Sequence, residues 1–97
     1  MIITGTTTQG YEFSIDSEKA KDYRFIKSLA KAMGEDVAPG EKLEAMFKLV
    51  ETLLGDKEDE FIEYVASKNN GNASTDIVGS EVGEMVKALK EDTESKK

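Results

Sequence analysis

The segment with the strictest pattern runs from residue 43 to residue 54, where apolar side chains recur every three or four positions. This spacing is typical of an α-helix with one apolar side, since an α-helix turns once in about 3.6 residues. Such a side has to be buried, so the pattern predicts a helical domain with this segment at its centre. The stripe consists of Leu43, Met46, Phe47, Val50, Leu53 and Leu54. Its members Leu43, Phe47, Val50 and Leu54 are expected to form the middle of the core.

A further helix is predicted before the central one. Asp16 or Ser17 can cap its start, Asp22 is a second possible cap, and Gly34 ends it. Its expected buried side is Tyr23, Ile26, Leu29, Ala30 and Met33.

Two more helices are predicted after the central one. Pro39 and Gly40 indicate a short loop before the central helix, and Gly55 ends it. Asp56 restarts a third helix, residues 68–72 form a turn, and Ser74 or Thr75 caps the last helix. The third helix is expected to bury Phe61, Ile62 and Val65, and the last one Ile77, Val78, Val82, Met85, Val86 and Leu89.

The N-terminal residues predict a β-hairpin. Residues 1–4 and 11–15 are rich in strand-forming residues, the second segment alternates in polarity, and residues 8–10 supply the turn. A two-stranded hairpin is marginal in water, so it is expected to dock on helices or on a neighbouring subunit. The expected fold is therefore mainly α (α+β), an N-terminal hairpin followed by about four short helices in one small domain. This domain spans residues 1–90, and a flexible charged tail follows over residues 91–97.

Composition argues against several classes of function. Twenty acidic and thirteen basic residues give a net charge of −7, which repels nucleic acid and anionic membranes. The chain has no cysteine and no histidine, so thiolate metal sites and the commonest general base are missing. No apolar run approaches the roughly 20 residues of a membrane span. We therefore expect a cytosolic, non-catalytic protein without a cofactor or metal.

The candidate contact surface is an apolar surface built from the hairpin and the first helix. Phe25 departs from the stripe of the first helix, and the second strand of the hairpin carries aromatic residues on one side. Exposed apolar patches are typical of protein–protein contacts. The expected protein-binding residues are Tyr11, Phe13, Phe25 and Leu29.

Two short motifs have more than one interpretation. Gly79 and Gly83 are four residues apart, so they either let another helix approach the last helix closely or simply weaken it. The acidic run over residues 56–60 lacks the glycine of a calcium loop, and acidic residues are in any case favoured at a helix N-terminus.

The order of these elements resembles the tail assembly chaperones of siphophages and prophages of Gram-positive bacteria. The resemblance rests on the strand Tyr-Glu-Phe-Ser-Ile-Asp (11–16), the helix containing Tyr23, the ending Leu53-Leu54-Gly55 and the acidic third helix. The first helix departs from the family because it carries several lysines. The resemblance implies a factor of the host cytoplasm, absent from the mature virion. Such a factor binds the tape measure protein, keeps it soluble, helps to recruit the tail tube protein and forms a homo-oligomer.

Two other functions fit a small acidic chain. An acidic inhibitor or DNA mimic would need carboxylates along one elongated face, whereas the acids here alternate with lysines. A generic protein-interaction domain is the other alternative. An enzyme is disfavoured because no pocket-forming or glycine-rich motif frames any pair of carboxylates.

Overall fold

The computed structural model describes the backbone from residue 1 to residue 95 and the side chains as far as residue 91. Strands β1 (Ile2–Thr6) and β2 (Glu12–Asp16) come first, followed by helices α1 (Tyr23–Met33), α2 (Pro39–Leu54), α3 (Glu58–Lys68) and α4 (Thr75–Ser95). Short 3₁₀ turns lie at Ser17–Lys21 and Gly55–Lys57. The predicted fold class, a hairpin followed by helices in one small domain, is confirmed.

The hairpin docks on the helices of its own chain. Its strands are antiparallel, with Gly5 opposite Phe13. The Phe13 ring lies so close to Gly5 that a Cβ there would be 2.7 Å from the ring. Tyr11 packs edge to face on Phe61 of α3, with ring centroids 4.9 Å apart. The aromatic side of β2 is thus part of the core, and it needs no second subunit to cover it.

The predicted helix boundaries are set by local hydrogen bonds. The Asp22 carboxylate accepts a hydrogen bond from the Arg24 amide at 2.8 Å and also pairs with the Arg24 guanidinium. This pairing lowers the pKa of Asp22 to about 2. Gly34 and Gly55 follow α1 and α2, and the Ser74 hydroxyl accepts from the first amides of α4. The predicted cap at Asp22, the predicted ends at Gly34 and Gly55 and the predicted cap at Ser74 are therefore confirmed. The predicted restart at Asp56 is not, because α3 begins at Glu58 without a side-chain cap.

The predicted loop before the central helix is wrong. Pro39 does not lie in a loop but begins α2, which also includes Gly40. Proline suits the first helical position, because its missing N–H has no partner inside the helix. At the other end, the helical backbone of α4 continues through Ser95, and the flexible tail predicted over residues 91–97 stays a prediction. Lys87 and Glu91 form an i,i+4 pair at 4.0 Å that favours this continuation. The last two residues of the predicted tail lie outside the described residues.

The buried side of α2 is shifted from the predicted one. Val50 and Leu54 are buried as expected, but Leu43 and Phe47 are 41% and 45% exposed. The apolar stripe of α2 is broad, so its periodicity does not determine which residues are buried. The packing of α1 along α2 determines which part is covered. The buried side also includes Ala45, Leu49 and Leu53.

The buried side of α1 is also different from the prediction. Tyr23, Ile26 and Met33 are exposed, whereas Phe25 is only 3% exposed and belongs to the core. The apolar side of this helix is broad, and the periodicity alone did not determine which part of it is covered. The expectation that Phe25 lies on the surface is therefore wrong.

Candidate protein-binding groove

A groove of about 660 Å³ lies between α1, α2 and α4. Most of the side chains that line it are apolar. We call this feature the helical groove. It is lined by Leu29, Ala32, Met33, Pro39, Lys42, Leu43, Met46, Leu49, Thr75, Asp76, Gly79, Val82, Gly83, Val86, Lys87 and Lys90.

The apolar lining of the helical groove includes both buried core residues and exposed residues. Leu49, Val82 and Val86 are buried core residues that also line it. Met33 and Leu43 are largely exposed. A partner that covers such exposed apolar side chains stabilises the complex by about 25 cal/mol for each Å² of apolar surface removed from water. The groove is thus an apolar surface that the described residues leave uncovered.

The two glycines of α4 both line the helical groove. A Cβ at Gly79 would lie 3.1 Å from the sulfur of Met46, whereas a Cβ at Gly83 would have no other atom within 4 Å. Glycine exposes the helix backbone, so a bound segment can approach α4 closely at Gly83. Of the two interpretations left open by the sequence, this placement favours close approach of another helix.

Two of the four methionines of the chain, Met33 and Met46, line the helical groove. Methionine is unbranched and polarisable, so it adapts to partners of different shape. Such side chains are suited to a surface that accepts more than one apolar sequence.

The structure separates the four residues predicted as protein contacts. Tyr11, Phe13 and Phe25 are core residues with little accessible surface, so they are placed to support the fold rather than to touch a partner. Leu29 is half-buried and lines the helical groove. Leu43 and Met46 were not predicted as groove residues, because the periodicity of α2 indicated that its whole apolar stripe belongs to the core. The spacing of Gly79 and Gly83 was the one signal that pointed to this side of α4.

A pair of carboxylates on α4 holds the turn of the hairpin. Glu84 Oε1 accepts a hydrogen bond from the Thr8 amide at 3.0 Å, and Glu81 Oε2 accepts one from the Gln9 amide at 3.3 Å. From α3, the Tyr64 hydroxyl donates to the Gln9 carbonyl at 3.1 Å. The turn is therefore tied to two helices by polar contacts. Gly10 follows it with φ +94°, a conformation that favours glycine.

Glu81 is an unusual residue because it is charged and buried. It is 2% exposed, and no described group donates a hydrogen bond to its Oε1. Burial raises the pKa of Glu81, the Thr7 hydroxyl and the Gln9 amide oppose this, and the neighbouring Glu84 raises it further. The folded protein therefore binds a proton at Glu81 more readily than the unfolded chain does.

We expect Glu81→Gln to change the pH dependence of stability. Because the folded pKa lies above the unfolded one, Glu81 favours folding most below its unfolded pKa, and this contribution is lost as pH rises through the folded pKa. Glutamine cannot ionise, so the stability of the variant relative to wild type should increase as pH rises from about 4 to about 7. Urea unfolding at several pH values measures this difference.

The control for this experiment is Glu63→Gln, which removes a charge from an exposed position of α3. It reports the general effect of reducing the negative charge of the surface. If the two variants change with pH in the same way, the buried position of Glu81 has no effect of its own on stability.

Neither a metal cluster nor a membrane span is found in the described part of the chain. No group of three or more acidic residues there is placed to hold a metal ion. None of its helices is both long and apolar enough to cross a membrane. Comparison with models of protein families, with curated proteins and with solved structures found no match.

Proposed function

We propose that this protein is a tail assembly chaperone that binds a helical segment of the tape measure protein in the helical groove and keeps that client soluble. The observation that carries the proposal is the groove itself, an apolar surface next to the exposed backbone of Gly83. The resemblance of the sequence to such chaperones supplies the client. In this proposal the protein acts by binding, without catalysis.

The shape and lining of the helical groove suit a helix. An amphipathic helix commonly binds by laying its apolar side into a groove of this kind. Gly79 and Gly83 reduce the distance of closest approach to α4. Met33 and Met46 can adjust to different side chains, which fits a client with many helical segments. The net charge of −7 then favours solubility of the complex.

The acidic inhibitor or DNA mimic is less well supported. Lysines lie among the acidic residues in two separate places. Lys42, Lys87 and Lys90 line the helical groove, and a second cleft, between α1 and α2, is lined by Lys27, Lys31 and Lys48 together with Glu41, Glu44 and Glu51. An imitation of a nucleic acid backbone would need an uninterrupted row of negative charge. This mixture of charges is better suited to a protein partner.

Self-association and contact with the tail tube protein are part of the proposal. Among the described residues β1 and β2 pair only with each other. The outer edge of each strand is therefore not paired with a further strand. Ile2 is exposed on β1. An open strand edge with an apolar side chain is a common place for subunits to pair. We therefore expect a homo-oligomer that dissociates on dilution.

Co-expression with a tape measure protein tests the proposal. We expect the wild-type chaperone to increase the soluble fraction of the client, and a Met33→Ser/Leu43→Ser double variant to lose most of this effect. Soluble client is measured by centrifugation and gel densitometry. Light scattering of the purified chaperone over a hundredfold dilution measures its self-association.

The matched control is Tyr23→Ser/Ile26→Ser, which removes two exposed apolar side chains that lie on α1 and do not line the helical groove. We expect this variant to keep the client soluble. A client whose solubility does not depend on the wild-type chaperone would contradict the proposed function. Equal loss in both double variants would place the binding surface elsewhere.

A further inference from the structure

The rim of the helical groove carries charge opposite to that of the whole chain. Lys42 lies on α2 and Lys87 and Lys90 lie on α4, whereas Asp76 is the acidic residue among those that line the groove. The chain as a whole has a net charge of −7. From this contrast we infer that the bound segment is an amphipathic helix whose apolar side is flanked by aspartate or glutamate. This inference rests on the proposed function and names the chemistry of its client.

The lysines of the groove lie near Gly83, where a bound helix can approach α4 most closely. Gly83, Lys87 and Lys90 are spaced by four and then three residues, so they share one side of α4. Lys42 lines the same groove from α2. A helix that packs against Gly83 therefore meets ammonium groups from both of these helices. Carboxylates on both flanks of its apolar stripe would match this arrangement.

The expected role of these charges is selection rather than affinity. Lys87 is largely exposed, and its own partner Glu91 is 4.0 Å away. Exposed ion pairs contribute little individually, because water and salt screen them. The apolar stems of the lysines add to the groove wall, while their ammonium groups favour one kind of helix over another.

A second copy of this chain is a poorer occupant. The most exposed apolar stripe of the protein is that of α1, with Tyr23, Ile26 and Met33. Its neighbours on the helix include Lys27 and Lys31, which would meet the lysines of the helical groove as like charges. An acidic client helix has no such conflict.

Three synthetic helices of about 20 residues test the inference. They share one apolar stripe of leucine and alanine and carry glutamate, glutamine or lysine along both flanks. Fluorescence anisotropy measures their binding to the full chain at low salt and at about 1 M salt, where the Debye length is about 3 Å. We expect the glutamate peptide to bind about tenfold more tightly than the glutamine peptide at low salt, and the lysine peptide to bind most weakly. The preference should disappear at high salt.

Charge reversal provides the matched pair of variants. Lys42→Glu/Lys87→Glu/Lys90→Glu should reverse the order of the glutamate and lysine peptides. Lys27→Glu/Lys31→Glu/Lys48→Glu makes the same change in net charge in the cleft between α1 and α2 and should keep the wild-type order. Circular dichroism establishes that both variants are folded. If either is not, the wild-type peptide series and its salt dependence decide the question.

The outcomes separate this inference from the proposed function. Equal binding of the glutamate and glutamine peptides would overturn the acidic flank and leave the groove as an apolar binding site. Failure of the wild-type chain to bind any of the three would count against the groove itself, and so against both proposals. Peptide binding could also decrease as the chain dimerises. That result would assign the groove to a second copy of the chain and overturn the inference.

Discussion

Phe25→Ala is expected to lower the free energy of unfolding by about 3–5 kcal/mol, whereas Phe47→Ala should lower it by about 1 kcal/mol or less. Both changes remove the same atoms from neighbouring helices. Phe25 is 3% exposed and lies in the core cluster, so its removal leaves a cavity that the surrounding side chains fill only in part. Phe47 is 45% exposed, and water can occupy most of the space that its ring leaves.

Thermal and urea unfolding followed by circular dichroism measure this difference. For a domain of this size each kcal/mol shifts the melting temperature by roughly 4–8 °C, so Phe25→Ala should melt at least about 12 °C below wild type. Such a loss is a large share of the 5–15 kcal/mol that is typical of a folded domain. If Phe47→Ala were the more damaging change, the orientation of α1 and α2 described here would be wrong.

If the protein has the proposed function, Gly83→Leu should weaken binding of the tape measure protein at least about tenfold while leaving the protein folded. A Cβ added at this position would meet no neighbouring side chain within 4 Å, so the space next to the helix is open there in the free protein. Leucine also favours the helix by up to about 1 kcal/mol relative to glycine. The added side chain occupies the part of the helical groove in which a client helix would approach α4.

The control is Ser80→Leu, an equally exposed position on α4 that does not line the helical groove. It adds a leucine to the same helix and should keep client binding. Pull-down of the tape measure protein and thermal melts of both variants give the two measurements required. A folded Gly83→Leu variant that binds its client as well as wild type would show that the groove is not the client site. Gly79→Leu is less informative, because Met46 would have to move.

Local features of this protein could be predicted from the sequence alone. The hairpin, the cap at Asp22, the end of α1 at Gly34 and the cap at Ser74 all depend on contacts between residues close together in the chain. Such contacts follow from residue type and short spacing, because the interacting groups are held near one another whatever the rest of the fold does. The loop predicted at Pro39 and Gly40 was wrong, because proline suits a loop and the first helical position equally well.

Which side of a helix is buried was decided only by the tertiary structure. The apolar sides of the first two helices are broad, so the burial of Phe25 and the exposure of Phe47 depend on where α1 lies against α2. The helical groove depends on the same packing, since Leu43 and Gly83 line it from helices that are far apart in sequence. Periodicity determines that an apolar stripe exists. Its covered and uncovered parts are set by the neighbouring elements, because burial depends on long-range contacts that no short segment contains.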